Sequence, residues 1–179
     1  MNNLILAVWG ENGSGKSTFS AALARALSEH FSTVLLASAD VACPSFALWG
    51  ADNEKKTSLG AVLNSAEITA GYLQQNIVTE SAHASIGLLG YLAGESIEQY
   101  NPIGNEAAEA FFFAVKEFAQ VTIVDCCLPQ NDVFSYEAIN SADIIDFLFM
   151  CIKYTVSLCV AGKMGSGKTT FLNYLLSQL

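Results

Sequence analysis

Residues 10–17 read G-E-N-G-S-G-K-S and match the pattern G-x-x-x-x-G-K-[ST], a glycine-rich turn followed by a lysine and a hydroxyl. Glycines let backbone N–H groups converge on an anion, and a helix opening there adds its positive dipole end. The lysine, Lys16, reaches the β- and γ-phosphates of a nucleotide, and the Ser17 hydroxyl is placed to ligate Mg²⁺. The expected phosphate cradle is therefore Glu11, Asn12, Gly13, Ser14, Gly15, Lys16, Ser17 and Thr18, with ATP and Mg²⁺ as ligands. Two carboxylates join it. Asp125 closes the run Val121-Thr122-Ile123-Val124, where a strand-end aspartate binds Mg²⁺ directly or through water. Asp40 closes a second such run and is either a catalytic group that orients the attacking water or a loop-capping residue.

These residues need elements that carry them to one place. Leu4 to Trp9 is a short apolar run of the kind a buried parallel strand shows. After the loop, Phe19, Ala22, Leu23, Ala26 and Leu27 recur at helical spacing. Thr33 to Ala37 reads as a second buried strand, and residues 41–57, with Pro44, Gly50, Asp52 and Asn53, as a long functional loop. Helical patterns follow near residues 59–63 and 68–77, then a short strand over 85–90 and a loop over 94–105. Asn105 and Glu106 start a helix whose apolar face is Ala108, Phe111, Phe112, Val115 and Phe118. Alternating buried strands and amphipathic helices predict an α/β fold: a mostly parallel, doubly wound sheet in a three-layer, Rossmann-like P-loop NTPase arrangement. Ligands of such sheets bind beyond the carboxyl ends of the strands, where Gly10, Asp40 and Asp125 all fall.

Composition narrows the field. A chain of 179 residues has room for one α/β domain. With 52% hydrophobic and 14% charged residues, little of it could stay disordered. The net charge of -9 gives no general attraction to DNA or anionic lipid, so non-specific nucleic-acid binding is not expected. The five cysteines (43, 126, 127, 151 and 159) show no metal-ligand spacing, and with no leader at Met1 to Leu4 the chain reads as cytoplasmic. The run from Ile144 to Ala161 nears membrane-span length, but Asp146 and Lys153 interrupt it, which favours two buried strands over a transmembrane segment.

With these motifs in view, the chain resembles the MinD/ParA group of P-loop ATPases over residues 1–150. The likeness rests on Glu11 to Thr18, on Leu35-Leu36-Ala37-Ser38-Ala39-Asp40, on Thr122-Ile123-Val124-Asp125, and on Ala142-Asp143 ahead of an apolar strand. The Ser-Ala-Asp segment and the Gly-Leu-Leu-Gly-Tyr strand look most like CpaE/TadZ-type proteins of pilus and secretion assembly. The resemblance implies an ATPase or nucleotide switch acting on a protein partner. One departure matters: the group's signature lysine, which reaches the phosphates of the partner in ATP-bound dimers, is replaced by Glu11. A carboxylate cannot stabilise phosphate charge, so Glu11 disfavours a nucleotide-dependent dimer.

Residues 162–169, G-K-M-G-S-G-K-T, match the loop pattern a second time, after the apolar run Thr155 to Ala161 and before a helix-like stretch from Phe171. Residues 151–179 are expected either to complete the first sheet with a strand and helix or to be the stub of a second NTPase domain. Two other functions compete with the switch. A small-molecule kinase uses the same loop but should offer arginines to clamp the transferred group, and Arg25 is the sole arginine. A non-catalytic nucleotide-sensing scaffold is the third reading, made credible by Glu11.

Overall fold

The apolar runs become the strands of a single sheet whose order is β3-β4-β2-β5-β1-β6-β7. The strands are β1 (Leu4–Trp9), β2 (Val34–Ser38), β3 (Val78–Thr79), β4 (Ile86–Gly90), β5 (Val121–Asp125), β6 (Ile144–Cys151) and β7 (Thr155–Ala161). The structure, a computed structural model, describes residues 3–10, 13–45, 49, 58–80, 82–127, 132–151 and 155–161. β4, β2, β5, β1 and β6 run parallel, while β3 and β7 pair antiparallel at the two edges. The helices are α1 (Lys16–Ser28), α2 (Leu59–Leu63), α3 (Ala70–Asn76), α4 (Asn105–Val115) and α5 (Val133–Ser141).

Side chains of the parallel strands alternate between two cores because successive residues point to opposite faces. Leu6, Val8, Val34, Leu36, Leu88 and Ile123 pack with Leu23, Ala24 and Leu27 of α1, and Trp49 joins them. Ile5, Ala7, Leu35, Ala37, Leu89 and Val124 pack on the other face with α2, α3, α4 and α5. There Phe111 and Phe112 of α4 meet Phe134 of α5, with ring centroids 5.0 and 5.1 Å apart. This is the doubly wound three-layer arrangement expected of the sequence. The long strand-like stretch from Ile144 resolves into β6 and β7, and among the described residues no helix is long and apolar enough to cross a membrane.

Some local expectations shift. The helix predicted over 68–77 is shorter, because Thr69 caps it by accepting from Tyr72 N and Ile77 turns extended to enter β3. The loop over 94–105 holds a short 3-10 turn at Ile97–Gln99. Helix α5 has no counterpart in the sequence reading. The second loop-pattern match at residues 162–169 and the helix-like stretch after it lie outside the described residues, as do Glu11, Asn12 and most of the 41–57 loop.

Candidate functional site

Strand β1 delivers the chain to Gly10 at the carboxyl edge of the sheet, and α1 leaves from Lys16. Between them Gly13 and Gly15 adopt φ of 76° and 88°, the left-handed region that side-chain-bearing residues avoid. Open space surrounds the Cβ position of Gly13, so the constraint there is backbone conformation rather than crowding. Gly15 is the N-cap of α1 and offers no side chain to its first turn, so those amides face the loop. The first closed rung of the helix runs from Phe19 N to Gly15 O, at 2.8 Å. Lys16 is buried, as is Ser14, whose hydroxyl has no protein partner among the described residues.

Asp125 stands beside this loop because β5 lies directly between β1 and β2, with Val8 and Ser38 as its register partners. Backbone bonds tie the three strand tips together: Cys126 N donates to Val8 O, and Ala39 N to Asp125 O, both at 3.0 Å. The Asp125 side chain is 1% exposed, yet neither carboxylate oxygen closes a well-formed hydrogen bond among the described residues. Burial pushes its pKa up to about 6, and the charge of Asp40 adds to that; the nearby Ser17 hydroxyl and Lys16 pull the other way. A buried carboxylate left with open lone pairs is costly unless a cation or donor completes it. Hydroxyl, lysine and orphaned carboxylate together fit Mg²⁺ bound jointly with nucleotide phosphates. Among the described residues no cluster of three or more acidic, His or Cys side chains could hold a metal.

Asp40 lies one strand further from the loop than Asp125. Its strand, β2, is not the neighbour of the loop-bearing strand, because β5 intervenes. One carboxylate oxygen, Oδ1, accepts from Ala42 N at 3.0 Å and Cys43 N at 2.9 Å, which is the loop-capping role left open by the sequence. Its charge still reaches the site, since it raises the pKa of Asp125. The sequence reading missed Cys127. Burial above all pushes the pKa of this half-buried thiol up to about 12, and the charge of Asp40 adds to it. The Cys127 amide donates to Ser135 Oγ at 3.0 Å, fastening the segment after Asp125 to α5. Its place two residues beyond the strand-end aspartate was the available signal. Beside the site, a groove of about 290 Å³ follows α1 from Ser17 and Thr18 to Arg25, with Ser45 and Trp49 opposite.

A mostly parallel sheet with a glycine-rich loop after an interior strand and an aspartate at the tip of the adjacent one defines a P-loop NTPase α/β fold. The sequence matches the CobQ/CobB/MinD/ParA nucleotide binding domain over residues 5–152, and the chain belongs to that family. No curated protein matches the sequence. Among solved structures, a ParA family ATPase from Chlorobium tepidum is similar at 19% identity and a TM-score of 0.65, over 80% of this chain and 59% of its own. The septum site-determining protein MinD from Pyrococcus horikoshii, solved with Mg-ADP, gives 21% identity and a TM-score of 0.62, over 82% of this chain and 57% of its own. Cobyrinic acid a,c-diamide synthase from Mycobacterium smegmatis, with an ATP analogue and magnesium, gives 21% and 0.64, over 98% of this chain and 68% of its own. Identities this low establish the fold, and this chain spans less than three-fifths of the length of the first two proteins.

Proposed function

We propose that this chain binds Mg-ATP at residues 11–18, hydrolyses it slowly, and uses the bound nucleotide to switch its hold on a protein partner. The observation that carries this reading is the orphaned, buried carboxylate of Asp125 beside Ser17 and Lys16. In this reading the backbone amides from Gly13 to Thr18 wrap the β- and γ-phosphates, and Lys16 balances their charge. Ser17 and Asp125 hold magnesium, which when bound neutralises charge between the β- and γ-oxygens. Asp40, through the oxygen not spent on Ala42 and Cys43, orients water toward the γ-phosphate. The segment likeness to CpaE/TadZ-type proteins supports a partner in pilus or secretion assembly.

A specific observation favours the sensing scaffold as second reading: half of the Asp40 carboxylate already caps its own loop. No such support exists for a kinase, because Arg25 gives Nε and Nη2 to Glu80 Oε1 at 3.3 and 2.9 Å. The deciding experiment titrates ATP, ADP and GTP with and without Mg²⁺ and follows phosphate release without added substrate. Mg-dependent ATP binding with slow release is expected. Binding without release selects the sensor, and no binding refutes both.

A further inference from the structure

After β2 the chain passes from one face of the sheet to the other, and a bond between two hydroxyls holds it there. Val41 packs with the core under α2 to α5, whereas Trp49 is sunk in the core under α1. Between them Ser45 is 3% exposed, and its Oγ lies 3.2 Å from the Oγ of Ser38, the last residue of β2. Ser38 is fully buried and is the register partner of Asp125. Alternation along β2 and β5 puts both side chains on the α1 face, in line with Leu36 and Ile123. A strand of Val, Leu, Leu and Ala is completed at lower cost by another apolar residue, because a buried hydroxyl is costly without a partner. Ser45 supplies that partner.

What the bond encloses is Asp40. The chain from Ser38 to Ser45 is closed by the hydroxyls at its two ends, and inside it Asp40 Oδ1 accepts from the amides of Ala42 and Cys43 at 3.0 and 2.9 Å. The inner closure fixes one carboxylate oxygen, and the outer one ties the whole turn to the strand end beside Asp125. The charge of Asp40 is felt by Asp125, so the turn lies within electrostatic reach of the metal-binding carboxylate. Ser45 also shares a groove with Ser17 and Thr18, which places the bond between the turn and the phosphate loop. We propose that the Ser38–Ser45 bond is a clasp that positions Asp40 in the nucleotide site, which makes both serines positioning residues. This rests on the water-orienting role given above to Asp40 and adds how that role is held. A carboxylate on an unclasped turn loses orientation toward the reacting water, whereas nucleotide affinity is set by the phosphate loop and is spared.

The test removes and restores the clasp in the full chain. Ser45→Ala deletes one hydroxyl, and Ser45→Thr keeps it with a methyl that the adjoining groove can take. In the nucleotide-free protein, hydrogen exchange followed by NMR should find the Ala42 and Cys43 amides about tenfold or more faster in Ser45→Ala, and near the unmodified rate in Ser45→Thr. With Mg-ATP, Ser45→Ala should lower kcat for phosphate release about threefold or more while KM and ATP affinity stay within about twofold, and Ser45→Thr should restore kcat. Ser38→Ala should reproduce both effects, and the double variant should add little to either single one, because the same bond is lost in all three. Ser58→Ala removes another buried hydroxyl, bonded to Tyr100 at the start of α2, and should alter neither readout. Unchanged exchange at Ala42 and Cys43 in Ser45→Ala overturns the clasp. So does a loss of ATP affinity as large as the loss of kcat, which would make Ser45 a binding residue. Asp40→Ala, measured alongside, keeps the two readings apart. Undiminished release in that variant refutes the role of Asp40, whereas exchange at residues 42 and 43 judges the clasp by itself.

Discussion

Replacing Asp125 by asparagine keeps the side chain's shape and removes its charge. In the nucleotide-free fold burial lifts this carboxyl from 3.8 to about 6. At about 1.4 kcal/mol per pKa unit, ionising it inside the fold costs roughly 3 kcal/mol at neutral pH. The amide gives back part of that gain, since its buried NH₂ lacks a partner at a cost of about 1–2 kcal/mol. Asp125→Asn should therefore stabilise the nucleotide-free chain by about 1–2 kcal/mol at pH 7.5. The sign follows from proton counts. Between pH 3.8 and about 6 the folded state holds the Asp125 proton more tightly than the unfolded state. The unmodified chain thus loses this increment as pH rises through that window and stays at its lower level above it. Urea unfolding of both proteins at pH 4, 5, 6 and 7.5 measures the difference directly, free of contributions from other carboxylates. It should be smallest at pH 4 and reach its full value above pH 6. Mg-dependent ATP affinity of the variant should fall about tenfold or more at neutral pH. A variant less stable at pH 7.5, or a stability difference that ignores pH, would refute the idea that an uncompensated buried charge awaits its cation.

Asp40→Ala should hold ATP affinity within about threefold while phosphate release, followed by a coupled assay, drops by about tenfold or more; equal loss of binding would remove its catalytic role. Lys16→Ala should lose Mg-ATP binding by about a hundredfold, and Lys168→Ala should leave it nearly intact; calorimetry finding two equivalent sites per chain contradicts this. Glu11→Lys should tighten ATP binding by about threefold or more by removing like charge beside the phosphates, and promote ATP-dependent dimers in sedimentation. Unchanged affinity and sedimentation would end that line of reasoning.

Local pattern was enough for much of this molecule. The apolar runs at β1, β2, β4 and β5 are short, bounded by turn residues and buried on both faces, so a continuous hydrophobic reading finds them. The loop residues Gly13, Gly15, Lys16 and Ser17 and the strand-end Asp125 are contiguous signals, each legible without its neighbours. Helix α5 was not, because a buried serine, Ser135, occupies the place where an apolar residue would complete the helical stripe; it is spent on the Cys127 amide instead. The order of strands was equally hidden. No local feature says that β5 comes between β1 and β2, and that insertion puts Asp125 rather than Asp40 beside the loop. The bond from the Cys127 amide to Ser135 exists only once α5 packs against the strand tips.

The antiparallel edge strand bears on the repeated glycine-lysine motif through polarity. β1 carries the chain up to the edge of the sheet where Asp125 stands, so the loop that follows opens onto the site. β7 travels the other way, pairing Cys151 with Thr155 at its start and Ile145 with Ala161 at its end. A motif written after β1 and a motif written after β7 are therefore the same words addressed in opposite directions. β1 ends at the edge where Asp125 stands, and β7 ends at the opposite one.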